Sequence, residues 1–401
     1  MCKAHVLQPW TNMKTNNLLL LVSCFSFLLS CSPKQENKTY SDELTAEAVI
    51  AVTDDVMNWQ MNAYDNMNEH RRWKANNYSW ENAIYLTAAA EWSYLRQDTL
   101  MQQWVRTKAK ENDYRLGNGG GVSHVYHADH LIVGMLYADL YEQDGDVRII
   151  HPTVARLQFI KNNPSPYGLE CDNDDKTYKY KQRWSWCDAL YMAPQVFARY
   201  AQLWNDPSLL EFMNNEYWFT TDYLYNKDYH LYWRDSNYFD KLEANGKPVF
   251  WGRGNGWVIG GLAKMIPYLP EDWTPRQRFI DHYKTMMDAI VALQSEEGHW
   301  FVTMLDPQSY PSPEMSSTGF FCYALWWGIN YGILDEATYL EPATRAWKAM
   351  VHAVRPTGML GSVQAVGEKP EAITEDMTEV YGPAAMSYAA QEILKYLNTK
   401  H

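Results

Sequence analysis

The chain has 401 residues, of which 46% are hydrophobic and 21% are charged, and its formal net charge is −13 at pH 7. This composition is typical of a folded protein with a large apolar core. The negative charge argues against nucleic-acid binding, which needs clustered lysine and arginine side chains. Aromatic residues are unusually frequent, with 18 Trp, 29 Tyr and 12 Phe. A helical core could account for them, but aromatic rings also stack on sugars, so the composition weakly favours a carbohydrate-binding protein.

The N-terminal stretch has the pattern of an export signal. A basic start at Met13-Lys14 precedes the apolar run 18–29, which is too short to span a bilayer. Leu28-Leu29-Ser30-Cys31 resembles a lipobox, where a bacterial signal peptidase would cut before Cys31 and leave that cysteine lipidated. We therefore predict a signal peptide over 1–31, with Met13 as an alternative translation start, a polar tether over 32–41, and a single catalytic domain over 42–401. The lipid anchor would hold the exported protein on the periplasmic or cell-surface side of a bacterial membrane.

Three cysteines remain beyond the leader, Cys171, Cys187 and Cys322. Their odd number and spacing match no zinc pattern and predict no disulfide framework. Cys171 and Cys187 could pair in an oxidising compartment, but isolated buried thiols are the simpler prediction. Cys187 could also act as a nucleophile, although the sequence places no base beside it.

Apolar and aromatic residues recur at helical spacing along the rest of the chain, and stop and start signals separate the segments. The predicted helices cover roughly 42–62, 79–95, 98–111, 127–142, 146–161, 187–204, 207–225, 254–268, 274–295, 316–332, 336–354 and 382–398. Strand signals are confined to about 229–251, where 229–233 and 248–251 flank an Asn245-Gly246 turn and predict a small β-ribbon. A second short extended segment is predicted near 299–305.

Twelve helices suggest six hairpins, and the second helix of each follows a loop rich in aromatic, glycine or serine residues. These junctions fall near residues 80, 129, 188, 253, 317 and 382, a quasi-repeat typical of an (α/α)6 barrel. A linear solenoid is the alternative, but its repeats are usually shorter and more alike. In a barrel, the six inner helices would begin on one face, and the functional residues should lie there.

The third junction carries Arg183-Trp184-Ser185-Trp186-Cys187-Asp188. Large rings beside Asp188 could desolvate its carboxyl group and raise its pKa, as a general acid near neutral pH requires. The alternative is structural, because Ser185 and Asp188 also fit the spacing of a helix-start capping box.

The second junction carries Gly119-Gly120-Gly121 and then His124, His127, Asp129 and His130. Imidazole and carboxylate groups can bind zinc or iron, but the spacing matches no metal motif, and we predict no metal. Asp129 is more attractive as a second active-site carboxylate, since it lies one hairpin before Asp188 on the same predicted face. Paired carboxylates are the usual groups of sugar hydrolysis.

The fourth junction carries Trp251-Gly252-Arg253-Gly254-Asn255-Gly256-Trp257. Its alternating glycines are not a dinucleotide fingerprint, because no βαβ unit surrounds them. They could direct Arg253 inward, where a guanidinium could hold a substrate carboxylate in a fork. The alternative is a structural arginine paired with a buried acid. His230, in the preceding strand, could donate a hydrogen bond or simply belong to the ribbon.

Three segments together resemble glycoside hydrolase family 105, the unsaturated rhamnogalacturonyl hydrolases, which are related to the family 88 unsaturated glucuronyl hydrolases. The segments are 127–130, 186–192 and 251–257, and the resemblance covers about 45–398. It implies an (α/α)6 barrel that needs no cofactor. It also implies an oligosaccharide substrate, left by a polysaccharide lyase, that ends in a 4,5-unsaturated uronic acid.

By matching position, the resemblance implies that Asp188 protonates C4 and then helps water add at C5, with Asp129 assisting. The residues that would line the pocket are His127, Trp186, His230, Arg253 and Trp257. The carboxylate-binding lysine of the family has no single match, since Lys176, Lys179 and Lys181 all lie in range, and this leaves the uronate epimer open.

We predict that the chain removes the unsaturated uronic acid from pectin (rhamnogalacturonan) oligosaccharides. The alternatives are an unsaturated glucuronyl hydrolase for another polysaccharide and a non-catalytic glycan-binding lipoprotein. An aldose–ketose epimerase on the same fold is disfavoured, because no further paired histidines occur near residues 317 and 382.

Overall fold

The computed structural model describes residues 38–70, 76–117, 122–172, 174 and 177–400. The signal peptide, Cys31 and the triple glycine 119–121 lie outside these residues. The helices of the described part are α1 (Ala46–His70), α2 (Trp80–Arg96), α3 (Thr99–Lys110), α4 (Val122–Tyr126), α5 (Val133–Asp144), α6 (His151–Asn162), α7 (Ala189–Met192), α8 (Pro194–Leu203), α9 (Ser208–Leu224), α10 (Gly252–Met265), α11 (Arg276–Val291), α12 (Met315–Asn330), α13 (Glu336–His352) and α14 (Tyr381–Thr399). Within the described residues, no helix combines the length and apolar character needed to cross a membrane.

Six helical segments close into an inner ring. Helix α2 packs on α5, α5 on α8, α8 on α10, α10 on α12, α12 on α14, and α14 on α2. Helices α1, α3, α9, α11 and α13 pack outside α14, α2, α8, α10 and α12, respectively. The inner helices are apolar around their circumference, and every residue of α12 from Met315 to Ile329 is buried, as expected for helices surrounded by others. The predicted (α/α)6 barrel is confirmed.

Each inner helix follows an outer helix in the chain, so the inner helices begin on one face of the barrel. Their starts, or the short turns that lead into them, coincide within two residues with the six predicted junctions. The predicted helix 187–204 is divided into α7 and α8 at Pro194, which has no N–H to continue the first helix. The first helix runs to His70, two turns beyond its predicted end.

The predicted pairing of the β-ribbon is wrong. Strand β2 (Leu231–Tyr232) pairs antiparallel with β1 (Tyr225–Asn226) at the end of α9, and not with residues 248–251. The side chain of Asn255 explains the difference, because it occupies both main-chain groups of Tyr232. The Asn255 Oδ1 accepts a hydrogen bond from the Tyr232 N–H at 2.8 Å, and its Nδ2 donates to the Tyr232 carbonyl at 3.1 Å. An asparagine of α10 thus takes the place of the expected partner strand.

The turn and the second extended segment occur where they were predicted, but with other partners. At the Asn245-Gly246 turn, the Glu243 N–H donates to the Lys247 carbonyl at 2.7 Å. Trp251 forms an isolated bridge with Thr303, inside the predicted segment 299–305. These short pairings fix the loop that leads into α10.

Close packing of the inner ring can be tested at Gly261 in α10. A Cβ atom there would lie 2.6 Å from the Leu190 carbonyl oxygen and 2.9 Å from the Tyr191 Cα. These are backbone atoms that cannot rotate away, so we expect Gly261→Ala to lower the free energy of unfolding by about 2 kcal/mol, although alanine favours helix. Gly168→Ala is the matched control, because no atom lies within 4 Å of its Cβ position. Equal denaturation midpoints for the two variants would contradict this packing.

Candidate active site

Asp129 and Asp188 lie at the starts of two inner helical segments. Asp129 belongs to a single 3-10 turn, Ala128–His130, that leads towards α5, and Asp188 immediately precedes α7. The turn packs against α7, and the charge of Asp188 acts on the pKa of Asp129. The fold therefore brings these two carboxylates into one site.

The structure does not support a helix cap as the role of Asp188. Its side chain makes no capping hydrogen bond, and the Ser185 hydroxyl donates to the Tyr180 carbonyl at 3.0 Å instead. The Cys187 thiol donates to Asp188 Oδ2 at 3.5 Å. Burial raises the pKa of this thiol well above its usual value, so Cys187 stays protonated and is unsuited as a nucleophile. All three cysteines beyond the leader are free and buried.

Burial governs the protonation of both carboxyl groups. The Asp129 and Asp188 side chains are only 20% and 13% exposed. Burial, and then the charge of Asp188, raise the pKa of Asp129 to about 7. Burial also raises the pKa of Asp188, and the charge of Arg234 opposes that rise. The pair can therefore keep a proton up to neutral pH, as acid–base chemistry requires.

The histidines of the second junction form a stack beside Asp129. The His127 and His130 ring centroids are 4.8 Å apart, those of His124 and His130 are 5.4 Å apart, and the planes are nearly parallel. Burial lowers the pKa of His127 well below its usual value, so this ring is neutral. Its Nδ1 accepts a hydrogen bond from the Asp129 N–H at 3.3 Å, and the Trp186 ring lies edge-on at 5.0 Å. His127 therefore holds the main chain of Asp129, and Trp186 packs against His127.

The stacked histidine rings do not form a set of ligands that converges on one metal ion. Among the residues that the structure describes, no group of three or more His, Cys, Asp or Glu side chains could hold a metal ion. The metal-free site nevertheless remains a prediction.

The expected role of Arg253 needs correction. Its side chain is 1% exposed, and its Nη1 and Nη2 atoms donate to the carbonyls of Gln364 and Ala365 at 2.8 and 2.9 Å. The guanidinium also lies over the Trp251 ring, 4.4 Å from its centroid. Because both terminal nitrogens are bonded to backbone carbonyls, Arg253 is not free to hold a substrate carboxylate in a fork. Its partners are carbonyl oxygens and not the buried acid of the alternative interpretation.

These bonds hold the segment 361–377, between α13 and α14, against the site. The Glu314 side chain caps α12 through the N–H groups of Ser316 and Ser317, and it also accepts from the Gln364 N–H at 3.1 Å. The Trp251 indole donates to Gln364 Oε1 at 2.8 Å. The segment is thus fixed from α10 and α12, and it carries Glu368 towards the carboxylate pair.

Trp257 differs from the expected pocket residue, whereas a substrate contact of His230 stays a prediction. Trp257 is fully buried, with ring centroids 4.5 Å from Phe320 and 4.9 Å from Tyr191. Trp257 belongs to a buried aromatic cluster with these two residues. The prediction that it contacts substrate directly is therefore corrected, and its role is to support the site. His230 lies in the turn that follows β1, with a positive φ of 55°, and its Nδ1 is 3.0 Å from the Tyr225 hydroxyl. This position fits the interpretation of His230 as a ribbon residue.

Arg234 lies beside the carboxylate pair and was not among the site residues predicted from the sequence. Its Nε is 3.8 Å from Asp188 Oδ2, and its side chain is 19% exposed. The sequence signal was weak, because the arginine simply follows a predicted strand. Of the three candidate lysines, Lys176 lies outside the described residues. Lys179 lies over the Tyr167 ring, and Lys181 is the one whose charge lowers the pKa of Asp129.

Comparison with known proteins shows which family the chain resembles. Residues 52–397 match the family described as Glycosyl Hydrolase Family 88. A protein of Alteromonas sp. (strain LOR) named unsaturated 3S-rhamnoglycuronyl hydrolase is 34% identical, over 84% of this chain and 83% of its own length. A protein of Formosa agariphila with the same name is 32% identical, over 79% of this chain and 84% of its own length.

A solved structure is also similar to this chain. A glycosyl hydrolase family 88 protein from Bacteroides vulgatus superposes with a TM-score of 0.75 at 26% identity, covering 88% of this chain and 99% of its own. The family resemblance that the three sequence segments indicated is thereby confirmed. The chain belongs to glycosyl hydrolase family 88 and is a glycosidase.

Proposed function

We propose that this glycosidase removes a terminal 4,5-unsaturated uronic acid from oligosaccharides in which that acid is linked to rhamnose. The observation that carries the proposal is the pair Asp129 and Asp188, two largely buried carboxyl groups with raised pKa values at one mouth of the barrel. The names of the two relatives support an unsaturated uronyl substrate.

In the proposed reaction, the carboxyl pair adds water across the C4=C5 double bond. Asp188 protonates C4, and the same group, once ionised, helps a water molecule add at C5, while Asp129 orients the water or the sugar hydroxyls. The hemiketal formed at C5 opens, and the glycosidic bond then breaks with release of the shortened sugar. This sequence needs a proton donor, a proton acceptor and water. The retained proton of the pair supports it.

The rhamnose-containing partner sugar can come from two sources. The sequence predicts pectin, whereas the relatives are named for a 3S-rhamnose unit, which we interpret as 3-sulfated rhamnose. We favour the sulfated source, because the sequence matches to these relatives extend over most of each chain. The binding-only alternative is weaker, because binding alone does not need a buried carboxyl pair.

We also propose that the protein is exported and anchored through a lipid on Cys31, as the lipobox-like segment 28–31 suggests. Membrane fractionation of Cys31→Ala tests this assignment, since the variant should leave the membrane fraction.

The activity can be tested on residues 32–401 with lyase-generated oligosaccharides that end in the unsaturated uronic acid. We expect the ultraviolet absorbance of the conjugated double bond to decay, with release of a shortened sugar, on substrates from sulfated rhamnose-containing polysaccharide and from rhamnogalacturonan. Asp188→Asn should bind these substrates but turn them over at least about 100-fold more slowly. Decay only on unsaturated glucuronyl substrates from glycosaminoglycans would keep the reaction and change the substrate. No decay on any of them would favour a binding protein.

The pH dependence follows from the carboxyl pair. The pKa of Asp129 is raised to about 7, so the pair loses its last proton as the pH rises through that value. We therefore expect kcat/KM to fall tenfold per pH unit above about pH 7, because the protonated pair is the active form. Asp129→Asn should move this limb to lower pH in the profile of its residual activity, because Asp188 then holds its proton without the charge of a second carboxyl group beside it. A flat wild-type profile between pH 6 and 9 would exclude the pair as the proton source.

A further inference from the structure

Arg234 is fixed beside Asp188 by its main chain. The Cys187 N–H donates a hydrogen bond to the Arg234 carbonyl at 2.8 Å. The neighbouring residues Trp186 and Asp235 form an isolated antiparallel β-bridge with each other. The segments that carry Asp188 and Arg234 are therefore tied together. The backbone of Arg234 cannot move away from the Asp188 segment without breaking this pairing.

The side chain of Arg234 uses its Nη1 end for hydrogen bonding and leaves its Nε–Nη2 edge without a partner among the described residues. Its Nη1 donates to Asp235 Oδ2 at 2.5 Å and lies 3.2 Å from Glu368 Oε2. Its Nε and Nη2 make no hydrogen bond to any residue within the described part of the chain, and Nε is buried. Nε lies 3.8 Å from Asp188 Oδ2, too far for a hydrogen bond. The two N–H groups of this edge are parallel, a geometry that matches the two oxygens of a carboxylate.

The other nearby cations fit a carboxylate less well. Arg253 has both terminal nitrogens bonded to backbone carbonyls. Lys181 lies 4.8 Å from the Tyr178 ring centroid, and a lysine offers a point charge without a fork. Asp235, which is 1% exposed, holds the Arg234 guanidinium in place, while Glu368 is 69% exposed and can yield to an incoming anion.

We propose that Arg234 binds the carboxylate of the unsaturated uronic acid through its Nε–Nη2 edge and thereby selects uronic over neutral sugars. The inference rests on the proposed function. The carboxyl group is attached to C5, so this contact places the C4=C5 bond next to Asp188.

The contact also has a consequence for Asp188. The charge of Arg234 favours the ionised form of Asp188 in the free enzyme. A bound substrate carboxylate neutralises that charge, so Asp188 gains proton affinity when the substrate arrives. The substrate thus prepares the acid that protonates it.

The test compares two substrates that differ only at the carboxyl group, the unsaturated uronyl oligosaccharide and its methyl ester. Release of the shortened sugar is measured for wild type, Arg234→Gln, Arg234→Lys and Lys181→Gln. We expect wild type to prefer the acid by about 100-fold in kcat/KM, since a charge-assisted fork is lost with the ester. Arg234→Gln should abolish this preference by losing activity on the acid only. Arg234→Lys should retain part of the preference, and Lys181→Gln should retain all of it.

The outcomes separate the two proposals. A wild type that releases no sugar from either substrate overturns the proposed function and this inference with it. An active wild type whose preference survives in Arg234→Gln, or disappears in Lys181→Gln, overturns only the assignment to Arg234. An equal loss on both substrates in Arg234→Gln and Arg234→Lys would show a structural role and would also overturn it. Thermal denaturation of each variant shows whether the fold is intact.

Discussion

Two carboxyl groups share a largely buried space at the starts of inner helical segments, and the electrostatics of that placement govern the site. Burial disfavours the charged form of each acid, and the charge of Asp188 disfavours ionisation of Asp129 further. The charges of Arg234 and, less strongly, Arg253 oppose the effect at Asp188. The pair therefore keeps one proton near neutral pH, while the other carboxyl group of the pair can be ionised. A solvent-exposed pair on a flexible loop could not do this, because water would screen the charges.

The barrel makes this placement stable. The six inner segments pack as a closed ring, and their starts, which carry the polar loops, meet on one face. Several buried polar groups have a structural role, holding segments of the fold in place, and take no part in the proposed reaction. Arg253 and Glu314 both hold the segment around Gln364, and Asn255 holds Tyr232. Each of these side chains makes at least two hydrogen bonds that hold it in place, which offsets the cost of burying polar groups.

The sequence was sufficient for the helices, because their apolar periodicity and their start signals are local properties. It also predicted that Asp129 and Asp188 lie on the same face, since both stand at predicted junctions, and their catalytic roles stay a prediction. It was insufficient where a role depends on a distant partner. Arg253 was expected to face the substrate, but its bonds go to carbonyls 111 and 112 residues away. Arg234 carries no local signal, and it gains its importance only because β2 is held next to the Asp188 segment.

The measurement that tests the account most directly is the fate of the oxygen from water. The reaction is run in ¹⁸O-labelled water, and the released uronate is reduced with borohydride as it forms, to prevent exchange of its carbonyl oxygens. Mass spectrometry then locates the label. Hydration of the double bond by the Asp129–Asp188 pair predicts ¹⁸O on C5, since the ring oxygen stays on C1 when the hemiketal opens. Label on C1 would show direct attack at the anomeric carbon and would contradict the account.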